Sequence, residues 1–323
     1  MTKTIAITGA TGFAGRHAVG ALLARGYRLK ALVRRPVSAG LPDGVTLIEG
    51  GLNSEAALRD LMQGVDAVVH LAGAISGLSR GHYFEVNGRG TAAVVAAAER
   101  AGVKRFVYVS SLTAREPSLS DYGASKQAGE AAVASGRLST LILRPPAIYG
   151  PGDKATLPLL RELTRAVAFI PSQRQARFSL IHAEDLARIL SEAVTGRASG
   201  IIEVSDGKVG GYDWSELIAV AEAHEGRRIR PVFLPRPIPS LAGFVAGGLS
   251  RLMGKTFMIN SGKIAELYHP DWVARGAGWP LASPIGFAAG FAQTLQWYRA
   301  EGWLPKARGG DRSSATANRE THP

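Results

Sequence analysis

Residues 4–15 read TIAITGATGFAG, a β-branched run that leads directly into three evenly spaced glycines. Gly9, Gly12 and Gly15 form a GxxGxxG turn, in which the missing side chains let backbone amides approach a pyrophosphate at the N-terminus of a helix. The turn lies at the first junction between a strand and a helix, which is where a dinucleotide-binding fold places it. A packing turn without a ligand is the alternative. The stretch therefore predicts a dinucleotide-binding α/β domain.

Short β-branched runs and Ala-rich amphipathic stretches alternate from this turn to about residue 143. This alternation is typical of parallel strands that are covered by helices on both faces. We therefore expect an α/β fold, a doubly wound parallel sheet (Rossmann) with a smaller C-terminal substrate-capping region. The predicted strands are Thr4–Thr8, Arg28–Val33, Thr46–Ile48, Ala67–Leu71, Phe106–Ser110 and Leu138–Leu143. The predicted helices are Ala14–Arg25, Ser54–Met62, Asn87–Ala101 and Asp121–Ala134.

The alternation ends after Arg144, where RPPAIYGPGD is too rich in Pro and Gly to form a helix. We divide the chain into an NADP-binding Rossmann domain (1–145), a substrate-binding region interleaved with the sheet (146–305) and a polar tail that we expect to be disordered (306–323). Residues 231–255 are rich in Pro, Gly, Leu and Phe, and they would touch a membrane surface, line a substrate pocket or pack against the protein body. The further predicted elements are helices Ala183–Val194 and Trp214–Glu225 and strands Phe178–Ile181 and Ile201–Val204.

The composition of the 323 residues, 46% hydrophobic and 20% charged, is that of a globular protein. The chain has no cysteine, which excludes disulfides, thiolate catalysis and zinc held by cysteine, and we predict no metal site. It shows neither a membrane-spanning run nor a secretory leader, so we expect a cytoplasmic location. The formal net charge of +12 would suit nucleic acid, an anionic membrane or anionic small molecules. Because the basic residues are scattered, we expect no nucleic-acid partner.

The second predicted strand ends in Leu32-Val33-Arg34-Arg35. NAD-binding folds usually carry an acid at this point for the ribose 2′-hydroxyl. Guanidinium groups instead bind a 2′-phosphate through charge-assisted hydrogen bonds. We therefore favour NADP(H) as the cofactor, with NAD(H) possible, and Arg16 is a further candidate for contact with the phosphate.

Tyr122 and Lys126 lie four residues apart at the start of a predicted helix, so both side chains leave the same face. A free tyrosine has a pKa of about 10, and we expect the lysine ammonium to lower the pKa of Tyr122 and to bind the nicotinamide ribose. The preceding strand ends in hydroxyl residues at the edge of the sheet where ligands bind. Ser111 is our candidate for holding a substrate oxygen, and Ser110 and Thr113 are its rivals. A coincidental surface pair and a strand-end cap are the alternatives.

Together these pieces resemble the extended branch of the short-chain dehydrogenase/reductase superfamily. That branch comprises NAD(P)-dependent epimerases, dehydratases and dihydroflavonol-reductase-like or 3β-hydroxysteroid-dehydrogenase-like enzymes. The similarity runs to about residue 190 and includes IHAEDLA (181–187), in which we expect His182 to pack. The matching segments, in family order, are TGATGFAG (8–15), HLAG (70–73), NGRGT (87–91), YVSS (108–111), YGASK (122–126) and LRPPAIYGPGD (143–153).

The resemblance implies that Ser111, Tyr122 and Lys126 are catalytic and that Asn87 positions water or the lysine. It also implies a set of cofactor contacts, beneath the pyrophosphate, beside the adenosine and ribose, and at the border of the nicotinamide. Those contacts are Thr11, Gly12, Phe13, Leu71, Ala72, Gly73, Pro145 and Ile148. One departure affects adenine recognition, because Gly50-Gly51-Leu52 stands where relatives have Gly-Asp-Leu. Adenine would then be bound by backbone groups or Asn53, with Leu52 still a candidate contact.

Our leading hypothesis is an NADP(H)-dependent oxidoreductase that transfers hydride between the cofactor and a carbonyl or secondary alcohol, with Tyr122 as general acid/base. A sugar-nucleotide epimerase or dehydratase would use the same triad, but no acid adjoins Ser111 to assist an elimination. A non-catalytic NADP-binding subunit resembling the complex I accessory member of the superfamily is the third hypothesis. The family implies a homodimer. Apolar residues of the second half favour a hydrophobic small-molecule substrate: Phe233, Leu241, Phe244, Leu252, Phe257 and Trp272.

Overall fold

The computed structural model of the chain describes residues 2–77, 79–239 and 261–306. Most of the apolar stretch 231–255 and all but the first residue of the predicted tail lie outside the described residues. The predicted cap residues Leu241, Phe244, Leu252 and Phe257 also lie outside them.

A seven-stranded parallel sheet forms the centre of the molecule, and it confirms the predicted doubly wound α/β fold. The first and fourth strands in the chain are neighbours, and the connections leave them in opposite directions. Ligands of such sheets bind in the crevice at this reversal, outside the carboxyl ends of the strands. In spatial order the strands are β11 (Gly200–Glu203), β6 (Ser139–Arg144), β5 (Arg105–Val109), β4 (Ala67–His70), β1 (Thr4–Thr8), β2 (Arg28–Val33) and β3 (Val45–Glu49).

Helices cover both faces of this sheet, which explains why its strands are apolar without alternation. Ile5 and Ile7 of β1 pack in the cluster beneath helices α1 and α7, whereas Ala6 packs in the cluster on the opposite face. All three side chains are fully buried. The covering helices are α1 (Phe13–Ala24) and α7 (Ala183–Ala193) on one face, and α2 (Glu55–Met62), α4 (Thr91–Arg100) and α5 (Asp121–Ala134) on the other.

The helical segment before β5 begins earlier than predicted, at Arg80 rather than Asn87. It consists of α3 (Arg80–Tyr83), a π-helical segment (Phe84–Gly90) and α4. Its first turn has no apolar period that a sequence pattern would detect, and it is fixed instead by a cap, because the Ser79 hydroxyl accepts a hydrogen bond from the His82 amide at 3.3 Å. Asn87 lies within the π-helical segment, a conformation that is frequent at functional sites.

The second half of the chain is divided between the sheet and a cap. Its α7 packs against α1, and its β11 pairs with β6 in the central sheet. The predicted strand 178–181 is wrong in its bounds, because Arg177–Phe178 and Leu180–His182 are separate strands with different partners. The cap consists of the paired strands β7 (Ala147–Tyr149) and β10 (Leu180–His182), β8 (Val167–Ile170) and β12 (Arg230–Phe233), and β9 (Arg177–Phe178) and β13 (Asp271–Trp272), with helices α6 (Leu157–Glu162), α8 (Trp214–Glu225), α9 (Ser261–Leu267) and α10 (Phe287–Ala300).

Candidate active site

The glycine turn leaves no room for side chains. Gly9 has a φ of +78°, and a Cβ atom there would lie 2.6 Å from the backbone nitrogen of Ala72. A Cβ atom on Gly15 would overlap the carbonyl oxygen of Gly9. Among the described residues no side chain caps α1 at Gly12, and the first turn of α1 contains no acid. Its first amides and the positive end of its dipole are therefore available to an anion such as a pyrophosphate.

The loop after β4 lies directly against this turn. The amides of Leu71 and Ala72 donate hydrogen bonds to the backbone oxygen and the hydroxyl of Thr8, at 3.1 and 3.3 Å. A Cβ atom on Gly73 would come within 3.1 Å of Oδ1 of Asn87. Leu71, Ala72 and Gly73 therefore adjoin the glycine turn, as their predicted role beside the cofactor requires.

A cavity of about 510 Å³ opens beyond β2 and is lined by Thr11, Val33, Arg34, Arg35 and Ala39. Arg34 and Arg35 are both exposed residues. The lining contains two arginines and no acid, a composition that favours an anionic ligand.

Arg16, the further candidate for phosphate contact, holds the wall of this cavity instead. Its guanidinium donates to the carbonyl oxygens of Gly40 at 2.6 Å and of Ala39 at 3.0 Å. Because both bonds reach the loop after β2, Arg16 fixes the segment that follows the two exposed arginines.

Of the three candidate hydroxyls, the structure brings Ser111 to the tyrosine. The Ser111 hydroxyl lies close enough to the phenol of Tyr122 to influence its pKa. It also accepts from the amide of Thr113 at 3.2 Å and from the hydroxyl of Thr113 at 2.9 Å, so it caps the following turn as well. The Ser110 hydroxyl is buried and donates to Glu130 at 2.5 Å. Ser110 is therefore committed to the protein interior, and Thr113 supports Ser111.

Lys126 is almost fully buried beneath the candidate site. Its Nζ donates to the carbonyl oxygen of Val109 at 2.8 Å and lies 4.5 Å from the centre of the Tyr108 ring. Burial lowers the pKa of Lys126 to about 7, although the nearby carboxylate of Glu130 opposes the change. The lysine therefore gains and loses its proton near neutral pH.

The pKa of Tyr122 differs in direction from the prediction. Burial, and then the negative charge of Glu266, raise the pKa of Tyr122 to about 12, while the neighbouring Ser111 hydroxyl acts in the opposite direction. The expected lowering by Lys126 is wrong for this structure, because loss of solvation outweighs it and the ammonium is directed to a carbonyl and a ring. The phenol is therefore protonated at neutral pH.

Asn87 acts on backbone and on α5 rather than on the lysine. Its Oδ1 accepts from the amide of Ala74 at 2.8 Å, and its Nδ2 donates to the carbonyl oxygen of Ala74 at 3.0 Å and to the Ser125 hydroxyl at 2.8 Å. The side chain is fully buried. It thus ties the loop after β4 to the helix that carries Tyr122 and Lys126.

A buried polar chain, which sequence reasoning missed, runs beneath these residues. The hydroxyl of Thr8 lies 2.6 Å from Nδ1 of His70, and Nε2 of His70 lies 3.0 Å from the hydroxyl of Thr91. Thr91 in turn donates to the carbonyl oxygen of Asn87 at 2.7 Å. Burial, and then Lys126, lower the pKa of His70 to about 3, so the ring is neutral. It joins the strand before the glycine turn to the segment that contains Asn87, and the HLAG motif was its only signal in the sequence.

A second residue that sequence reasoning missed, Glu266, comes from the cap. Its carboxylate accepts from the hydroxyl of Ser120 at 2.5 Å and pairs with Lys263 at 3.1 Å. Ser120 caps α5, since its hydroxyl accepts from the amide of Gly123 at 2.9 Å. The indole of Trp272 donates to the backbone oxygen of Glu266 at 2.7 Å. The cap therefore contacts the sheet domain at Ser120, two positions before Tyr122 in the chain, through a buried acid that belongs to no recognised motif.

A buried ion-pair network continues from the site into the cap. Arg144 donates to both carboxylate oxygens of Glu130, at 2.8 and 2.6 Å, and lies 3.8 Å from Glu203. Glu203 also pairs with Arg115 at 3.1 Å, and Arg115 donates to the carbonyl oxygen of Val273 at 2.9 Å. The network connects α5, the sheet and the segment after β13, so it fixes the cap over the carboxyl ends of the strands.

The other predicted cofactor contacts are distributed around the same crevice. Pro145 is buried, and its carbonyl oxygen accepts from the amide of Leu112 at 2.8 Å. Ile148 and Leu52 are half-buried against the apolar clusters on opposite faces of the sheet. The ring of Phe13 at the start of α1 packs edge-on against His17. Contact of these residues with a cofactor stays a prediction.

Two kinds of feature are absent from the residues that the structure describes. None of their helices combines the length and apolar character needed to traverse a bilayer. No group of three or more of their His, Asp or Glu side chains is placed to hold a metal ion.

Comparison with known proteins gives concordant matches. The model of the NAD dependent epimerase/dehydratase family matches residues 5–204. Ceramide reductase of Caulobacter vibrioides is 42% identical over 308 residues, which are 94% of this chain and 96% of the relative. UDP-glucose 4-epimerase of Vibrio cholerae is 30% identical over 243 residues, which are 64% of this chain and 72% of the relative.

Among solved structures, MoeE5 in complex with UDP-glucose and NAD has the same fold. It is 23% identical, and the alignment covers 92% of this chain and 99% of that chain with a TM-score of 0.65. The relatives identify the chain as an enzyme of the nicotinamide-dependent reductase or epimerase type. On the family match and the near full-length similarity, this chain belongs to the NAD dependent epimerase/dehydratase family.

Proposed function

We propose that the chain is an NADPH-dependent reductase that converts the ketone of a long-chain lipid into a secondary alcohol. The observation that carries the proposal is the pair of neighbouring hydroxyl groups on Ser111 and Tyr122, in which the phenol keeps its proton well above neutral pH. Reduction of a carbonyl needs an acid at its oxygen, and a protonated tyrosine beside a second hydroxyl supplies one.

In this mechanism the hydroxyl groups of Ser111 and Tyr122 donate to the carbonyl oxygen of the substrate. The nicotinamide, when bound, supplies hydride to the carbonyl carbon. Tyr122 gives its proton to the oxygen, so the C=O bond becomes a CH–OH group and the tyrosine becomes a phenolate. The phenolate favours the charged form of Lys126, whose pKa of about 7 lets it take up a proton from solvent and hold it beneath the site.

The residues present fit a dinucleotide with a 2′-phosphate. Gly9 and Gly15 form a cradle that a Cβ atom would fill, and the amides of α1 are open to the pyrophosphate. Arg34 and Arg35 line the cavity beyond β2 where a 2′-phosphate would lie, and that lining contains no acid to repel it. These observations support NADPH over NADH.

The substrate class follows from the similarity to the Caulobacter relative, which is 42% identical over 94% of this chain. The Caulobacter relative is named a ceramide reductase, and the similarity extends through the cap as well as the sheet domain. A ceramide is an N-acylated long-chain amino alcohol with a secondary hydroxyl group. A reductase with this chemistry would form that hydroxyl from the corresponding ketone. We therefore propose an oxo form of a ceramide-class lipid as the substrate.

The test is NADPH consumption with an N-acylated long-chain amino ketone in detergent micelles, measured at the NADPH absorbance. We expect turnover with this substrate and, in the Tyr122→Phe variant, a loss of roughly a hundredfold or more, because general acid catalysis contributes about that much. NADPH affinity, measured by fluorescence quenching, should be unchanged in the variant. A Tyr122→Phe variant with full turnover would refute the assignment of the acid.

A sugar-nucleotide 4-epimerase is the second candidate, and the Vibrio cholerae relative favours it. An epimerase keeps its cofactor through the cycle, so it would convert a UDP-sugar without net consumption of NADPH. Arg115, in the turn after β5, is engaged by Glu203 and by backbone oxygens of the cap rather than being left to bind a diphosphate. Conversion of UDP-glucose, together with no reaction of the lipid ketone, would replace the reductase by the epimerase.

A further inference from the structure

Apolar side chains project into solvent from the outer face of one strand pair in the cap. Val167 and Phe169 are alternate residues of β8 and are 40% and 47% exposed, whereas Ala168 between them is fully buried. Since alternate residues of a strand point to the same side, the two form one outward row. Ile238, five residues beyond the end of β12, is 55% exposed as well.

One arginine lies beside this apolar row, and further arginines are near it in the sequence. Arg230 of β12 lies directly opposite Val167 in the parallel register, and it is exposed. Residues 226–239 read GRRIRPVFLPRPIP and carry four arginines without an acidic residue. The side chain of Arg228 is 96% exposed. Residues 163–183, which contain β8, likewise contain no acid. The acids at the margin, Glu162 and Glu222, are each in contact with an arginine.

We propose that this arginine face, formed by Val167, Phe169, Ile238 and the arginines of residues 226–239, docks on a bilayer that contains anionic lipid. The inference concerns a surface outside the catalytic crevice and does not require the proposed function to hold. Arginine stems can extend over apolar groups while their charged ends reach lipid headgroups. An arginine already contacts an aromatic ring of β12, since the guanidinium of Arg174 lies 4.9 Å from the centre of the Phe233 ring. Exposed valine, phenylalanine and isoleucine side chains match acyl chains, and they have no complementary partner on a nucleic-acid backbone.

The arginine face is connected to the catalytic region by a short path. The hydroxyl of Tyr268 donates to the carbonyl oxygen of Leu234 at 2.5 Å, just after β12. Tyr268 directly follows α9, which carries the buried Glu266 that contacts Ser120 at the start of α5. A protein docked through this face would therefore hold the cap close to the lipid.

Co-sedimentation of the full chain with vesicles tests the proposal. We expect binding to vesicles of phosphatidylcholine with phosphatidylglycerol, weaker binding at high salt, and little binding to phosphatidylcholine alone. The double variant Val167→Asp, Phe169→Asp should lose the binding. Its matched control is Val209→Asp, since Val209 is 96% exposed elsewhere on the cap and should not contribute. Thermal unfolding of each variant checks that the fold is kept. We expect it to be kept, because the side chains at all three positions are partly or fully exposed.

A second pair of variants isolates the charge. Arg227→Gln with Arg230→Gln should weaken vesicle binding roughly thirtyfold, because each arginine near an anionic surface contributes about a fivefold factor. The control with the same change of charge is Arg28→Gln with Arg197→Gln, two exposed arginines outside the arginine face. Equal binding to both vesicle types would overturn the proposal, and so would an equal loss of binding in the control pair. The proposal would also be overturned if the chain bound single-stranded DNA instead of vesicles and the same variants weakened that binding.

The two proposals fail separately. Reduction of a short, water-soluble ketone should be unchanged in the arginine-face variants, because they do not alter the crevice. If no ketone is reduced while vesicle binding follows the predicted pattern, the proposed function fails and the docking face stands. If ketones are reduced and vesicles are not bound, the docking face fails alone.

Discussion

Replacement of Arg144 by methionine breaks a buried ion pair beneath the candidate site. Arg144 and Glu130 are joined by two hydrogen bonds of 2.8 and 2.6 Å, and their side chains are 15% and 6% exposed. Methionine keeps much of the arginine stem's packing but removes every donor. In the Arg144→Met variant the Glu130 carboxylate would stay buried with the Ser110 hydroxyl as its remaining hydrogen-bond donor.

The expected cost follows from that geometry. Removing one partner of a buried, hydrogen-bonded pair lowers the free energy of unfolding by about 3–5 kcal/mol, because the other charge is left without compensation. Two features of the network place this case at about 3 kcal/mol. Ser110 still donates to Glu130 at 2.5 Å, and Glu203 keeps Arg115 at 3.1 Å after Arg144 is lost. For a chain of this size, a loss of that magnitude lowers Tm by roughly 4–5 °C.

Denaturant unfolding of the wild type, Arg144→Met, Glu130→Leu and the double variant measures the pair as a thermodynamic cycle. The double variant should be more stable than the sum of the single losses predicts, by at least about 1 kcal/mol, because it contains no unpaired charge. Arg89→Met is the exposed control, since the pair of Arg89 with Glu85 is mostly in solvent. Its loss should change the free energy of unfolding by less than about 1 kcal/mol. Equal effects of Arg144→Met and Arg89→Met, or strict additivity in the cycle, would refute the reasoning.

Three further predictions concern the cofactor and the proton. Arg34→Ala should weaken NADPH binding roughly tenfold to a hundredfold and leave NADH binding unchanged, because only NADPH carries the 2′-phosphate; equal losses for both, by fluorescence titration, would contradict the cofactor assignment. Lys126→Met should remove a rise in stability between pH 7 and pH 9, measured by urea unfolding. In that range the unfolded chain keeps the lysine proton, whereas the native state, with a pKa of about 7, has released it. Glu266→Gln should lower the pKa of Tyr122, since the charge of Glu266 raises it, and should move the alkaline limit of reductase activity to lower pH. An unchanged limit would show that Glu266 does not influence the proton of Tyr122.

The elements that the sequence predicts well are those with a local signal. The central strands are continuous apolar runs, and the glycine turn places β1 and α1 to within a residue. Helices α5 and α8 have the predicted bounds because each begins at a side-chain cap, Ser120 for α5 and a full capping box at Asp213 for α8. The first turn at Arg80 has a cap but no apolar period, so the predicted helix begins too late.

The parts of the site that escaped prediction depend on contacts between distant residues. Ser120 and Glu266 are 146 positions apart, and nothing near either residue indicates that they meet. The direction of the Tyr122 pKa also could not be read from the spacing to Lys126. The spacing predicts a favourable charge, whereas burial, which decides the direction, is a property of the folded chain.

The chain enters the cap after β6, returns to supply α7 and β11 to the sheet, and then leaves for the cap again. The cap is consequently not a module that can be cut out at one junction and grafted onto another sheet. A fragment that ended at residue 145 would bare both the β6 edge and the apolar side of α1. New substrate preferences in this architecture must therefore arise by substitution within a continuous body, under the constraint that the sheet stays whole.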